Sequence, residues 1–334
     1  MDKYQLIILG ADWDVYEISY QELIENPHIT YLPTFRPKGI LGQLQRIQFN
    51  PRLNHIVNMP GKSWWNPYYF RNIKEKNLCF LILEKWLRHE SATQLLPYLR
   101  KHYPEAKVVC FIQDLIGTII DRYTLQQIDI NYIKRYTDLL ISYDQTDARR
   151  YGIAYHPTIF SSVKLAPQEI YYDLYFLGRD KGRLNTLVTI AHEAQKRKMK
   201  CHFIMMEVPQ AERVEVEGIV YADEPIPYKE NLLYAAKSGC LIELLQQDAQ
   251  SATYRTWEAI MLNKKLLTQN QQIKADTIYD EKYVSVFKTP EDINWDFISE
   301  RTQPYNWKNP YQEQISPQRL IEFIEDKLNI EIDR

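Results

Sequence analysis

Apolar positions along the chain come in short unbroken blocks separated by stretches of mixed polarity. Residues 4–9 (YQLIIL), 78–83 (LCFLIL), 107–112 (KVVCFI) and 138–143 (DLLISY) are strand-length apolar runs, the pattern of strands buried on both faces of a parallel sheet. Helical spacing occupies about 16–25, 92–102 and 127–136 between them. The stretch 38–50 shows no clear period, and 54–59 (NHIVNM) reads as a short strand. Strands alternating with helices predict a parallel sheet.

The pattern restarts after Lys164, where LAPQEIYYD reads as a linker or a crossing strand. Strands are then expected at 172–177 (YDLYFL), 200–206 (KCHFIMM), 217–221 (EGIVY), 240–244 (CLIEL) and in KKLLT. Helices are expected at 184–198, whose basic end suits the helix dipole, at 228–238 with Gly239 as its C-cap, and at 253–262. The prediction is an α/β chain of two Rossmann-like domains, 1–165 and 166–316. The amphipathic stretch 317–328 forms a C-terminal helix within 317–334, and in two-domain folds of this kind such a helix often returns toward the first domain.

A length of 334 residues suits two domains that each bury a core. The formal net charge of −2 gives no electrostatic case for nucleic acid as a partner. No apolar run approaches the roughly 20 residues that span a bilayer, and MDKYQLIILGADWD does not read as a signal peptide, so a cytoplasmic location is expected. Cys79, Cys110, Cys201 and Cys240 lie in apolar runs without metal-ligand spacing and read as reduced, structural thiols. The 25 tyrosines and 7 tryptophans suit stacking on sugar rings and equally suit core packing.

Ligands of open parallel sheets bind outside the carboxyl ends of the strands. Three segments of the second half occupy that position. Gly178-Arg179-Asp180-Lys181-Gly182-Arg183 joins a strand to a helix and offers three cations beside a helix N-terminus, a combination suited to a diphosphate or to an ordinary solvated turn. The run from Gln250 to Ala259 opens another helix. Ser251 and Thr253 are natural N-caps there, Arg255 is a charge partner for phosphate, and Glu258 is a carboxylate in reach of two ribose hydroxyls or an ordinary helix residue. Glu224-Pro225-Ile226-Pro227-Tyr228 enters a third helix and could edge a base pocket. No GxGxxG follows a predicted strand, which disfavours a dinucleotide-dependent dehydrogenase.

These residues together resemble the GT-B glycosyltransferases, above all those that build bacterial surface polysaccharides. The likeness runs over about 138–270. DLLISYDQTDARRYGIAYHPTIFS resembles the end of such an enzyme's first domain, YDLYFLGRDKGRL its donor-domain strand and phosphate loop, and SGCLIELLQQDAQSATYRTWEAIMLNKKLLTQN its donor-site strand, loop and helix. The resemblance implies two domains whose parallel sheets face a central cleft. It implies a UDP-, GDP- or dTDP-sugar donor, a glycan or lipid-linked acceptor, and no metal. By the same resemblance Glu258 binds ribose, Ser251, Thr253 and Arg255 lie against diphosphate or sugar, and Arg179 and Lys181 neutralise the leaving diphosphate. Two departures stand out: Gln250 occupies the position eight before Glu258 where many retaining members carry Glu, and Ser251-Ala252 replaces a glycine of the donor loop.

An inverting enzyme needs a base for the attacking hydroxyl. Asp12 and Asp114, at strand ends of the first half, are the expected candidates, while Asp144 and Asp147 read as helix caps. The ring-rich stretch Gly61–Tyr69 could stack a sugar or pack as a loop. A lipid-linked acceptor implies peripheral contact with the inner membrane, although no amphipathic anchoring helix is evident. A nucleotide-sugar epimerase of the same fold and a non-catalytic sugar- or nucleotide-binding partner are the alternative functions.

Overall fold

Every strand pairing among the described residues is parallel, and the strands fall into two sheets. The computed structural model describes residues 3–10, 13–33, 39–57, 59–74, 77–117, 128–163, 165–166, 168–245, 251–300 and 314–333. The chain divides into one unit of Met1–Ile159 with Pro317–Arg334 and a second of Phe160–Ser316.

In the first unit β1 (Lys3–Leu9), β3 (Leu78–Leu83), β4 (Lys107–Ile112), β5 (Leu139–Ser142) and β6 (Ala154–Tyr155) lie side by side in that order. The free side of β1 carries β2 (Thr30–Leu32) along its second half and β13 (Glu331–Ile332) along its first. Alternate residues feed two cores: Ile7, Phe80, Ile82, Val108 and Cys110 on one face, Leu6, Ile8, Leu81, Val109 and Phe111 on the other. This two-sided burial is why the strands read as unbroken apolar runs. The helix Pro317–Leu328 contributes Leu320, Ile321 and Ile324 to the second of these cores.

The second unit runs β12 (Val284–Val286), β11 (Lys265–Thr268), β10 (Ser238–Glu243), β7 (Tyr172–Arg179), β8 (Cys201–Met206), β9 (Ile219–Ala222). Chain order therefore runs outward from β7 in one direction, then outward from β10 in the other. This is the doubly wound arrangement whose order reverses between its first and fourth strands.

Two local expectations are corrected and one unassigned stretch is resolved. Residues 51–56 are helical (Pro51–Ile56), not a strand. Proline at the first position of a helix sacrifices no hydrogen bond, and the Asn50 side chain accepts from Leu53 N at 3.2 Å. The unassigned stretch 38–50 holds the helix Gly39–Gln48. Gly239 is not a helix cap but the second residue of β10. The preceding helix, Tyr228–Ala236, ends at Lys237, and the Ser238 hydroxyl satisfies the carbonyl of Tyr234 at 2.8 Å.

Candidate functional site

The reversal of strand order in the second unit lies between β7 and β10, so the loops after these two strands flank one crevice at their carboxyl ends. They are the two loops that carry the predicted donor residues.

After β7, Arg179 is exposed and ion-paired to Glu207 at 3.2 Å. Lys181 takes a left-handed backbone (φ 44°) beside Gly182 (φ 80°), which turns the chain sharply into the helix Leu184–Lys196. The N-terminus of that helix is already served, because the Asp180 carboxylate accepts from Leu184 N at 2.9 Å. The cation that faces inward is Arg183, half-buried over the ring of Phe176. Its Nε is buried with no hydrogen-bond partner among the described residues. Its pKa is lowered, chiefly by burial and also by nearby Arg255, against the opposing pull of Asp180 and Glu243.

After β10, Thr253 caps the helix Tyr254–Met261, its Oγ1 accepting from Arg255 N at 3.2 Å. Glu243, the last residue of β10, organises this turn. Its Oε1 accepts from Thr253 N (3.1 Å), Thr253 Oγ1 (2.6 Å) and Thr256 Oγ1 (2.8 Å), and its Oε2 accepts from Thr268 Oγ1 at 2.5 Å. Ser251 lies just before the turn and is half-buried. Gln250 falls outside the described residues.

Arg255 and Glu258 form a buried ion pair at 2.5 Å. The other Glu258 oxygen accepts from Tyr228 Oη at 2.8 Å and Asn231 Nδ2 at 3.0 Å. Arg255 also donates to the carbonyl of Leu177 at 3.0 Å and lies over the ring of Tyr175, whose hydroxyl donates to Asn231 Oδ1 at 2.9 Å. Glu258 is thus no solvent-facing carboxylate: it is 2% exposed and held by three side chains. Tyr175, Asn231 and Glu243 were not legible as members of this network, because their convergence depends on which strands and helices become neighbours.

In the first unit the corresponding reversal lies between β1 and β3. Gly10 follows β1, where a Cβ would lie 2.0 Å from the ring of Tyr31, so a larger residue there requires that ring to move. Its carbonyl accepts from Trp86 Nε1 at 2.6 Å. Asp12 lies outside the described residues. Asp114, after β4, is held by Arg88 at 2.7 Å and accepts from the backbone N–H of Leu115 at 2.9 Å.

A further carboxylate, Glu84, stands directly after β3. It is fully buried, accepts from the hydroxyl of Tyr16, and leaves Oε2 without a hydrogen-bond partner among the described residues. Burial raises its pKa, Tyr16 and Arg88 oppose the rise, and Asp114 adds to it. Lys85 lies over the ring of Trp13, and burial lowers its pKa to about 8. The strand-end criterion that selects Asp12 and Asp114 would have found Glu84 too, had LCFLIL been followed one residue further. Asp144 is a helix cap, accepting from Asp147 N at 2.9 Å.

No protein-family profile matches the chain, and no curated protein matches it in sequence. Solved structures do match in fold. A UDP-N-acetylglucosamine 2-epimerase aligns at 11% identity and TM-score 0.53 over 98% of this chain and 97% of its own. A trehalose-6-phosphate synthase aligns at 9% and 0.58 over 98% and 99%. The catalytic domain of starch synthase IV from Arabidopsis thaliana, bound to ADP and acarbose, aligns at 8% and 0.57 over 98% and 99%. At these identities the likeness is one of fold, the two parallel-sheet α/β units of the GT-B kind.

Proposed function

We propose that the chain binds a nucleotide-sugar at the β7–β10 crevice and transfers the sugar to a hydroxyl of a glycan or lipid-linked glycan. The observation that carries this reading is Arg183. A half-buried guanidinium with an unused Nε–H, beside a second arginine and at the reversal point of a doubly wound sheet, gains most from an incoming polyanion. A diphosphate supplies the missing acceptor. Arg179 and Lys181 add charge at the rim, so protein cations stabilise the leaving group.

In this reading Arg255 exchanges Glu258 for phosphate, and the freed carboxylate oxygen accepts ribose hydroxyls. Ser251 and Thr253 line the same turn. The anomeric carbon forms its new bond to the acceptor oxygen as its bond to the diphosphate breaks, and a carboxylate of the first unit, Asp114 or Asp12, takes the acceptor's proton. Likeness to the bacterial surface-polysaccharide enzymes suggests that class of acceptor. A second reading, epimerisation of the donor itself, draws support from the fold likeness to a 2-epimerase.

Thermal stabilisation by UDP, GDP, dTDP, ADP and CMP tests the donor site. A selective rise in Tm that Arg183→Met abolishes is expected, and no rise with any nucleotide would overturn the proposal. Incubation with the matching nucleotide-sugar then separates the readings. A new glycosidic bond means transfer, an altered stereocentre means epimerisation, and binding without turnover means a non-catalytic partner.

A further inference from the structure

The second unit carries a cavity at the end of its sheet opposite the nucleotide crevice. It measures about 380 Å³ and lies at the first residues of β7 and β8, Tyr172 and Cys201, and at Glu217 and Gly218 just before β9. The crevice lies at the carboxyl ends of the same parallel strands, roughly 17 Å away along β8. The volume is that of a small-molecule site.

The floor of the cavity is apolar. Ala191 is buried, and Met199 and Cys201 are half-buried. Burial pushes the Cys201 thiol up to about 12, so it adds no charge to the floor. Gly218 takes φ 89°, and a Cβ there would lie 2.9 Å from Cys201 Cβ, so glycine lets this turn close against the floor.

The rim is charged and open. Lys198, Lys200 and Glu217 are exposed, and none has an ion-pair partner among the described residues. The dipole of the helix Leu184–Lys196 does not account for these lysines, because Lys196 and Arg197 already stand at its end, both paired with Glu193. Lys198 holds a left-handed backbone (φ 58°), in the position after a helix that glycine fills without strain. Its N–H donates to the carbonyl of Gln195 at 2.9 Å, and Met199 N donates to that of Ala194 at 3.0 Å, so one turn sets both a rim cation and a floor residue. The Asp173 carboxylate accepts from Lys200 N at 2.8 Å and fixes the second rim cation.

We propose that this cavity binds a small organic anion, with its carboxylate or phosphate monoester at the ammonium groups of Lys198 and Lys200 and its apolar body on Ala191, Met199 and Cys201. Two unpaired cations against one carboxylate leave the rim net positive, and an anion seated there gains charge-assisted hydrogen bonds. Glu217 selects against polyanions such as nucleotides, and the lysines against cations. The site is independent of the nucleotide crevice and stands whether or not the catalytic reading does.

The test is NMR of the full chain labelled at its methionine methyl groups, titrated with phenyl phosphate, benzoate and benzylamine. Met199 reports on the cavity. Met206, the last residue of β8, reports on the crevice end, where its carbonyl accepts from Asp180 N at 3.0 Å. Met199→Leu and Met206→Leu assign the two signals. The expected result is a saturable shift of Met199 with an anion, at a Kd on the order of 1 mM, with Met206 unmoved and no shift with benzylamine. Lys198→Gln/Lys200→Gln should weaken binding about tenfold while unfolding at the same Tm, and Arg183→Met should leave it unchanged. An equal Met199 shift with benzylamine, a shift confined to Met206, unchanged affinity in the double lysine variant, or no shift with either anion at about 10 mM would each overturn the proposal.

Discussion

Arg255 and Glu258 lie three residues apart on one helix and hold each other at 2.5 Å, with side chains only 10% and 3% exposed. Removing one member of such a pair strands the other charge, a loss of about 3–5 kcal/mol. Glu258→Ala and Arg255→Ala should therefore unfold at clearly lower denaturant, while Arg255→Met/Glu258→Leu should recover most of the loss. A double-mutant cycle in urea measures the coupling, and additive single losses would show that the pair contributes no mutual stabilisation. Glu258→Gln keeps an acceptor for Tyr228 and Asn231 and is the variant in which nucleotide affinity can be read apart from stability.

Glu243 sets the start of the same helix from the neighbouring strand. Its four hydrogen bonds join β10 to Thr253, Thr256 and Thr268. Glu243→Leu leaves the buried hydroxyls of Thr256 and Thr268 and the N–H of Thr253 without these acceptors, each an unsatisfied group worth about 1–3 kcal/mol. Hydrogen exchange should accelerate at the first-turn amides of Tyr254–Met261 before it changes at the distant helix Leu184–Lys196. Equal acceleration in both helices would mean that Glu243 supports the unit as a whole and not this turn.

Glu90 is a buried carboxyl whose oxygens accept from the N–H groups of Leu95 and Leu96 and from Tyr132 Oη. Burial raises its pKa from 4.5 to about 8 despite these donors. The folded chain keeps the proton where the unfolded chain has lost it. The stability this group contributes is therefore full below its unfolded value and is lost as pH climbs toward about 8. The slope reaches about −1.4 kcal/mol per pH unit inside that window. Glu90→Gln should flatten the stability profile between those limits, as followed by Tm against pH. Parallel profiles for the two proteins would show that Glu90 does not hold its proton on folding.

The alternation of strands and helices was readable because a strand buried on both faces has no polar positions to confuse the period: Leu78–Leu83 is apolar at all six. The helix Gly39–Gln48 escaped for the opposite reason. Its hydrophobic face looks outward and its inward face holds Gly42 and Gln45, so the usual equation of apolar with inward fails there. The pairing of β13 with β1 was also invisible, since a two-residue strand carries no period. Of the site, the two donor loops could be picked out by their place after apolar runs. That Glu258 would be enclosed by Tyr228 and Asn231 could not, because those contacts are set by how two helices pack beside β7 and β10.

Two carboxylates of the first unit now compete for the acceptor's proton, and their environments separate them. Asp114 keeps its side chain 37% exposed with Arg88 as partner, whereas Glu84 is sealed in. Exposure favours Asp114, because a base must reach the proton it takes within hydrogen-bond distance. Asp114→Asn should lower kcat by about 10²–10⁴, with KM for the donor little changed. Glu84→Gln reproduces the shape of the protonated acid that burial favours, so kcat should hold and stability at alkaline pH should rise. Steady-state kinetics on both variants decides between them. Lost turnover in Glu84→Gln alone would move the base to β3, and turnover kept in both would leave Asp12 as the carboxylate to test.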